Sequence, residues 1–168
     1  LKALHNVPHI SHIYDYFVEK GVHYIVMRLI TGESLSAYRQ EKGGTLPIAE
    51  LKEMLPSLLI TLDQMHERGI LHRDISPGNI MLTEEKQLYL IDFGSATALK
   101  EQGLRNRRVF THVGLDAPEH LDPSAQGPWT DIYSLCTNII FLLTGEGIPA
   151  PEDRRNYDPV PGMLLRLN

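Results

Sequence analysis

The sequence predicts an α+β fold in which helices dominate and short strands connect them. Three observations predict it. Leu51, Met54, Leu55, Leu58, Leu59, Leu62 and Met65 recur at helical spacing over residues 47–68. Two stretches read as hairpins, residues 12–18 with 22–29 and residues 79–82 with 88–91. Residues 131–144 carry apolar side chains on nearly every face, the pattern of a buried helix.

Taken in order, Tyr14-Asp15-Tyr16-Phe17 alternates aromatic with polar residues, and His23-Tyr24-Ile25-Val26-Met27 is β-branched and aromatic. Glu19-Lys20-Gly21 between them is a turn signal. Thr31-Gly32-Glu33 breaks the pattern, and Ser34 is placed to cap a short helix running to Gln40. Gly43-Gly44-Thr45 is a loop. Pro47 suits the first turn of the long helix, Pro56 should bend or open it, and Gly69 should end it. Residues 83–87 form the turn of the second hairpin. After the loop Gly127-Pro128-Trp129, Thr130 is expected to cap the apolar helix, and Gly145 to stop it. Beyond Ile148 the chain reads as loop and a weak helix.

A length of 168 residues suffices for one domain with a real core. The formal net charge of −5 excludes a general nucleic-acid binder, and the basic cluster at Arg105, Arg107 and Arg108 is local. The single cysteine, Cys136, excludes an internal disulfide and a cysteine zinc site, and its apolar setting predicts a core position. His5, His9, His12 and His23 fit no metal spacing and read as surface or loop residues. No signal peptide is visible, and no apolar run reaches the roughly 20 residues that span a bilayer. A reducing, cytoplasmic setting is expected.

The chemistry concentrates in His72-Arg73-Asp74-Ile75-Ser76-Pro77-Gly78-Asn79, where an acid and an amide stand five positions apart. Asp92-Phe93-Gly94 follows the next strand, and Ala117-Pro118-Glu119 comes later. Singly, each has an ordinary explanation, because Asp and Asn close turns through local hydrogen bonds. The hairpin between them supplies a geometric link: it returns the chain to its starting end, so Asn79 and Asp92 should finish side by side. In this order and at these spacings the three motifs resemble the catalytic half of a eukaryotic-type protein kinase. His-Arg-Asp-Ile-Ser-Pro resembles the bacterial Ser/Thr-type branch.

The resemblance implies a protein-kinase-like fold, mainly the helical large lobe with the last small-lobe strands and the hinge. Residues 1–30 would end the small lobe and 31–168 would form a large lobe truncated at its C-terminus. Asp74 would orient the substrate hydroxyl, and Asn79 and Asp92 would bind Mg²⁺ through oxygens. Arg73 offers a planar fork for a phosphate. Ser76 stands where the family usually has Lys, so it brings no charge to the transferred phosphate. Met27 matches the gatekeeper; Arg28 and Ile30 match hinge positions whose backbone meets adenine; Met81 matches a further nucleotide-contacting position. ATP is the implied co-substrate and a protein the implied acceptor. His72 would support the loop, Asp131 would anchor its backbone, and Glu119 would pair with an Arg further downstream. Thr111 is the candidate phosphosite or substrate-facing threonine, although the usual position falls on His112.

No Gly-rich loop precedes the first hairpin, no strand lysine of the V-A-I-K type is present, and Lys2 lies too near the start to serve. Both ends read as cut, so this stretch alone is expected to be a weak or inactive catalyst. Two alternatives stand beside the protein-kinase reading. One is a non-catalytic, pseudokinase-like binding module. The other is a small-molecule kinase of the aminoglycoside or choline type, which usually lacks Arg73 and Ala117-Pro118-Glu119.

Overall fold

A computed structural model describes residues 4–98, 115–120, 122, 124–150, 153–155 and 157–167. Thr111, His112 and the Arg105–Arg108 cluster lie outside the described residues.

The first hairpin joins β1 (Ile13–Glu19) to β2 (Val22–Met27) in antiparallel register, with Glu19 opposite Val22 and Ile13 opposite Met27. Lys20 (φ 51°) and Gly21 (φ 77°) both take positive φ, the two-residue turn whose twist matches the flanking strands. β2 ends two residues before Leu29, which points outward with 86% of its surface exposed.

β3 (Glu33–Ser34) pairs with β5 (Ile80–Leu82), and β5 with β6 (Leu88–Leu90). Gly32 makes the approach to β5 possible. Its φ is 144°, and a Cβ there would fall 2.1 Å from the Leu82 carbonyl oxygen. Ser34 caps α1 (Leu35–Glu41) as expected, its Oγ accepting from the Ala37 N–H at 3.1 Å. β4 (Ile70–Leu71) pairs with β7 (Thr97–Ala98), a contact the sequence did not announce.

The core forms around α2 (Ile48–Glu67), which packs Leu51, Met54, Leu58, Leu62 and Met65 against Leu88, Leu90 and Ile80. Two expectations are corrected here. Of the two effects expected of Pro56, a bend or a local opening, the opening does not occur, and the helix runs on through it. Pro56 faces solvent beside the equally exposed Lys52, whose carbonyl loses its helical donor, so water can take that place. Leu59 is also exposed, while Ser57 and Thr61 are buried on the inner face. Ser57 Oγ accepts the Leu88 N–H at 2.9 Å, and Thr61 Oγ donates to the Pro8 carbonyl at 3.1 Å. These hydroxyls tie β6 and the N-terminal segment to the helix.

α3 (Pro128–Thr144) starts three residues earlier than expected, with Gly127 as its N-cap. Thr130 is therefore inside the first turn, and its Oγ accepts the Gly127 N–H at 3.1 Å. The helix is not buried all round. Its inward face is polar (Thr130, Asp131, Ser134, Thr137 and Asn138, with Leu135 and Leu142), whereas Ile132 is exposed. Cys136 is exposed too, contrary to its expected core position. Gly145 ends the helix in the left-handed conformation at φ 75°. The short α4 (Val160–Leu165) anchors through Met163. Among the described residues no helix is long and apolar enough to cross a membrane.

Leu58 is fully buried at the centre of this packing. Leu58→Ala should lower the unfolding free energy by about 2–5 kcal/mol, and Leu59→Ala by less than about 1 kcal/mol, read by urea titration.

Candidate active site

α2 ends at Glu67, β4 follows, and the chain enters the loop at His72. Asp131, in the first turn of α3, receives it. Its Oδ2 accepts the His72 N–H at 2.9 Å and its Oδ1 the Arg73 N–H at 2.8 Å. A third donor is His66 Nε2, 2.8 Å from Oδ2. Arg73 takes φ 67°, an unfavourable conformation for a residue with a Cβ. The carboxylate holds it there by accepting its N–H.

His72 is wholly buried, with its ring edge-on to Phe93 at 5.0 Å between centroids. Its Nε2 lies 3.1 Å from the Ile91 carbonyl. A carbonyl only accepts, so Nε2 carries a proton. Burial pushes its pKa below the ordinary value; the charges of Asp131, Asp74 and Asp92 and the Ile91 carbonyl oppose this more weakly. His72 is thus a brace between the loop and the Asp92-Phe93-Gly94 turn, as its place in the motif implied.

Beyond Asp74 the loop closes on itself. The Asn79 N–H donates to the Ser76 carbonyl at 3.0 Å, and Asn79 Nδ2 donates to the Asp74 carbonyl at 2.9 Å. The amide orientation is thereby set, leaving Oδ1 for another partner. The Ile91 N–H donates to the Asn79 carbonyl at 2.9 Å, extending the β5–β6 ladder by one step. Asp92 is the next residue, so the two candidate metal ligands stand at one end of the hairpin. Asp92 is exposed at φ 58°, and its Oδ1 accepts the Gly94 N–H at 3.0 Å. A Cβ at Gly94 would crowd the same oxygen at 3.0 Å, so glycine keeps that side of the carboxylate open.

The fold therefore gathers Arg73, Asp74, Ser76, Asn79 and Asp92 around one loop and one hairpin end. Ser76 is buried and Asp74 half-buried. The nucleotide candidates are more dispersed. Ser34 pairs with Met81, which sets the half-buried Met81 beside the segment that follows β2. Ile30 is buried, and Met27 is exposed at the end of β2. The Arg28 guanidinium lies over Tyr89 at 5.9 Å, and the Arg28 carbonyl accepts from Ser11 Oγ at 2.6 Å. A cavity of about 830 Å³ lies elsewhere, between the N-terminal segment and β1; Phe93 lines it, but Asp74, Asn79 and Asp92 do not.

Several supports were not foreseen: His66 on Asp131, Asn138 on the Ile75 carbonyl at 2.8 Å, and Thr137 on the Leu115 carbonyl at 2.7 Å. Glu119 Oε1, expected to meet a downstream Arg, accepts from Thr130 Oγ at 2.8 Å. A signal existed for the helix residues. Positions 130, 131, 134, 137 and 138 form a polar stripe at helical spacing within an apolar segment.

Comparison with known proteins gives the family of the chain. The family described as "Protein kinase domain" matches residues 1–159, and the chain belongs to it. Over 126 residues, 73% of the chain, it is 36% identical to "Serine/threonine-protein kinase F" of Synechocystis sp.. It is also 36% identical to "Serine/threonine-protein kinase PknD" of Mycobacterium tuberculosis over 82% of the chain. It covers 25% and 21% of those two proteins, so it spans a quarter of their length or less. The solved structure titled "PpkA-294 apo form" superimposes with a TM-score of 0.77 at 28% identity, over 94% of this chain and 56% of that one.

The burial of His72 makes a pH prediction. Its folded pKa lies below the unfolded value of about 6.5, so the unfolded state binds the extra proton as pH falls through that window. The stabilisation is complete above about pH 6.5 and declines below it. His72→Gln should lose less stability than the unsubstituted protein between pH 7.5 and 5.5, measured by urea unfolding at each pH.

Proposed function

We propose that this chain carries the phosphoryl-transfer half of an ATP-dependent kinase acting on protein Ser or Thr hydroxyls. The observation that carries the reading is the closure of the loop. Asn79 binds the Asp74 backbone through its side chain, and the hairpin brings Asp92 to the same end. Residues 1–30 serve as the end of the small lobe and hinge, and 31–168 as the large lobe. A cytoplasmic location suits an ATP-consuming reaction.

In this mechanism Asp74 accepts or orients the proton of the substrate hydroxyl. Asn79 Oδ1 and the Asp92 carboxylate are oxygen donors that suit Mg²⁺, a hard cation. The bound ion would neutralise charge on the ATP phosphates. Arg73, the residue before Asp74, carries a guanidinium fork suited to a phosphate. Ser76 supplies a hydroxyl but no charge. Backbone groups at Arg28 and Ile30 meet the adenine edge, with Met27 and Met81 as its apolar neighbours. A protein acceptor is favoured over a small molecule by Arg73, by Ala117-Pro118-Glu119 and by the names of the relatives.

The test is transfer of label from Mg²⁺-ATP to a generic protein substrate by the full-length protein and by Asp74→Asn. Incorporation on Ser or Thr should fall by about 10²- to 10⁴-fold in the variant, and chelation should abolish it. Nucleotide binding without transfer by the unsubstituted protein would instead support a non-catalytic module.

A further inference from the structure

We infer that Asn138 is a positioning residue for the catalytic loop, holding the Ile75 carbonyl on the opposite side of Asp74 from the grip of Asp131. The inference rests on the proposed phosphoryl transfer. Asp131 and Asn138 are seven residues apart on α3, two helical turns, so they share one face. Asp131 accepts the N–H groups of His72 and Arg73, just before Asp74. Asn138 Nδ2 donates to the carbonyl of Ile75, just after it, at 2.8 Å. Asn79 Nδ2 takes the Asp74 carbonyl itself at 2.9 Å. Peptide groups on both sides of Asp74 are thereby fixed, two of the three anchors coming from a single rigid helix.

The chemistry of position 138 points to this role rather than to simple filling. Asn138 is fully buried, and its neighbours on the same face include Leu135 and Leu142. Nδ2 has two protons, one for Ile75 and one for the Ser134 carbonyl one turn back at 2.6 Å. Oδ1 is buried without a hydrogen-bond partner among the described residues. Burying an amide oxygen unpaired destabilises the fold, and a leucine of similar volume would avoid that. What leucine cannot do is hold the Ile75 carbonyl. The site thus keeps a donor where packing alone favours an apolar side chain. The direction of the bond also matters: Asp131 can only accept and takes the N–H groups, whereas the Ile75 carbonyl requires a donor.

Asn138→Leu and Asn138→Ala in the full-length protein separate positioning from packing. Three quantities are read: the melting temperature, the split of kcat from KM for ATP, and backbone hydrogen exchange. Asn138→Leu should shift the melting temperature by no more than a few degrees, since relief of the unpaired Oδ1 offsets the Ile75 carbonyl left without its donor, and keep KM within about twofold. Its kcat should fall about 10- to 100-fold, the cost of a misplaced reacting group. Exchange of the amides over residues 72–79 should quicken about tenfold or more, while those in the middle of α2 stay unchanged. Unchanged kcat and unchanged loop exchange in a folded Asn138→Leu would overturn the proposal. Failure of both variants to fold would make Asn138 a packing residue and also overturn it. Absence of phosphate transfer by the unsubstituted protein would sink the proposed activity, and loop exchange would still decide the role of Asn138.

Discussion

One buried carboxylate carries this structure. Asp131 is 1% exposed, and a charge so deeply buried is tolerated only when its oxygens are fully engaged. Two backbone N–H groups and one imidazole engage it. It also sits in the first turn of α3, where the helix favours negative charge. The arrangement works in both directions. The loop satisfies the carboxylate, and the carboxylate holds Arg73 in a left-handed conformation that costs of order 1–3 kcal/mol for a residue with a side chain. Removing the acid would release that strain and leave two buried amides unpaired, so the loop and the start of α3 depend on each other.

The contrast between the two long helices follows from what each must hold. α2 packs an apolar stripe against β5 and β6, where many small contacts add up and no single one sets a direction. α3 turns its polar residues inward, toward irregular backbone at Leu115, His72, Arg73 and Ile75 and toward the Glu119 carboxylate. Irregular backbone has no ladder to satisfy its own N–H and C=O groups, so buried loops need side chains as partners. A purely apolar α3 would leave those groups unpaired. Ser57 and Thr61 on α2 repeat the principle on a smaller scale, each serving a backbone group at the edge of the sheet or the N-terminal segment.

What could be read from the sequence was local or periodic. The hairpin of β5 and β6 was legible because two apolar runs flank a turn, and its closure places Asn79 opposite Ile91. Ser34 as a cap followed from one residue type at one position. The register of β4 with β7 was not legible, since two-residue strands have no period to detect. Reading α3 as buried on every face came from counting its apolar residues and overlooking where the polar ones fell. Cys136 was misplaced for the same reason: it lies away from the inward face that Asp131, Ser134 and Asn138 define. Thr130 looked like a cap because no signal favoured Gly127, which serves through backbone alone. Dependence of Glu119 on Thr130 joins residues eleven apart, with no pattern between them.

Ser76 shows how far such a framework constrains chemistry. It is buried between Ile75, whose carbonyl Asn138 holds, and Asn79, whose N–H closes on the Ser76 carbonyl. A long cationic side chain at this position could swing toward a phosphate; a serine hydroxyl on a fixed backbone cannot. Under the proposed reaction, positive charge for the transferred group must then come from cations at Asn79 and Asp92, from the Arg73 guanidinium, or from basic residues reaching in from elsewhere in the chain. Point charges held by short carboxylate and carboxamide groups tolerate little displacement before their benefit declines. A loop without its own lysine therefore depends more heavily on the backbone positions of Asp74 and Asn79, which are the positions that Asp131, Asn138 and the hairpin hold in place.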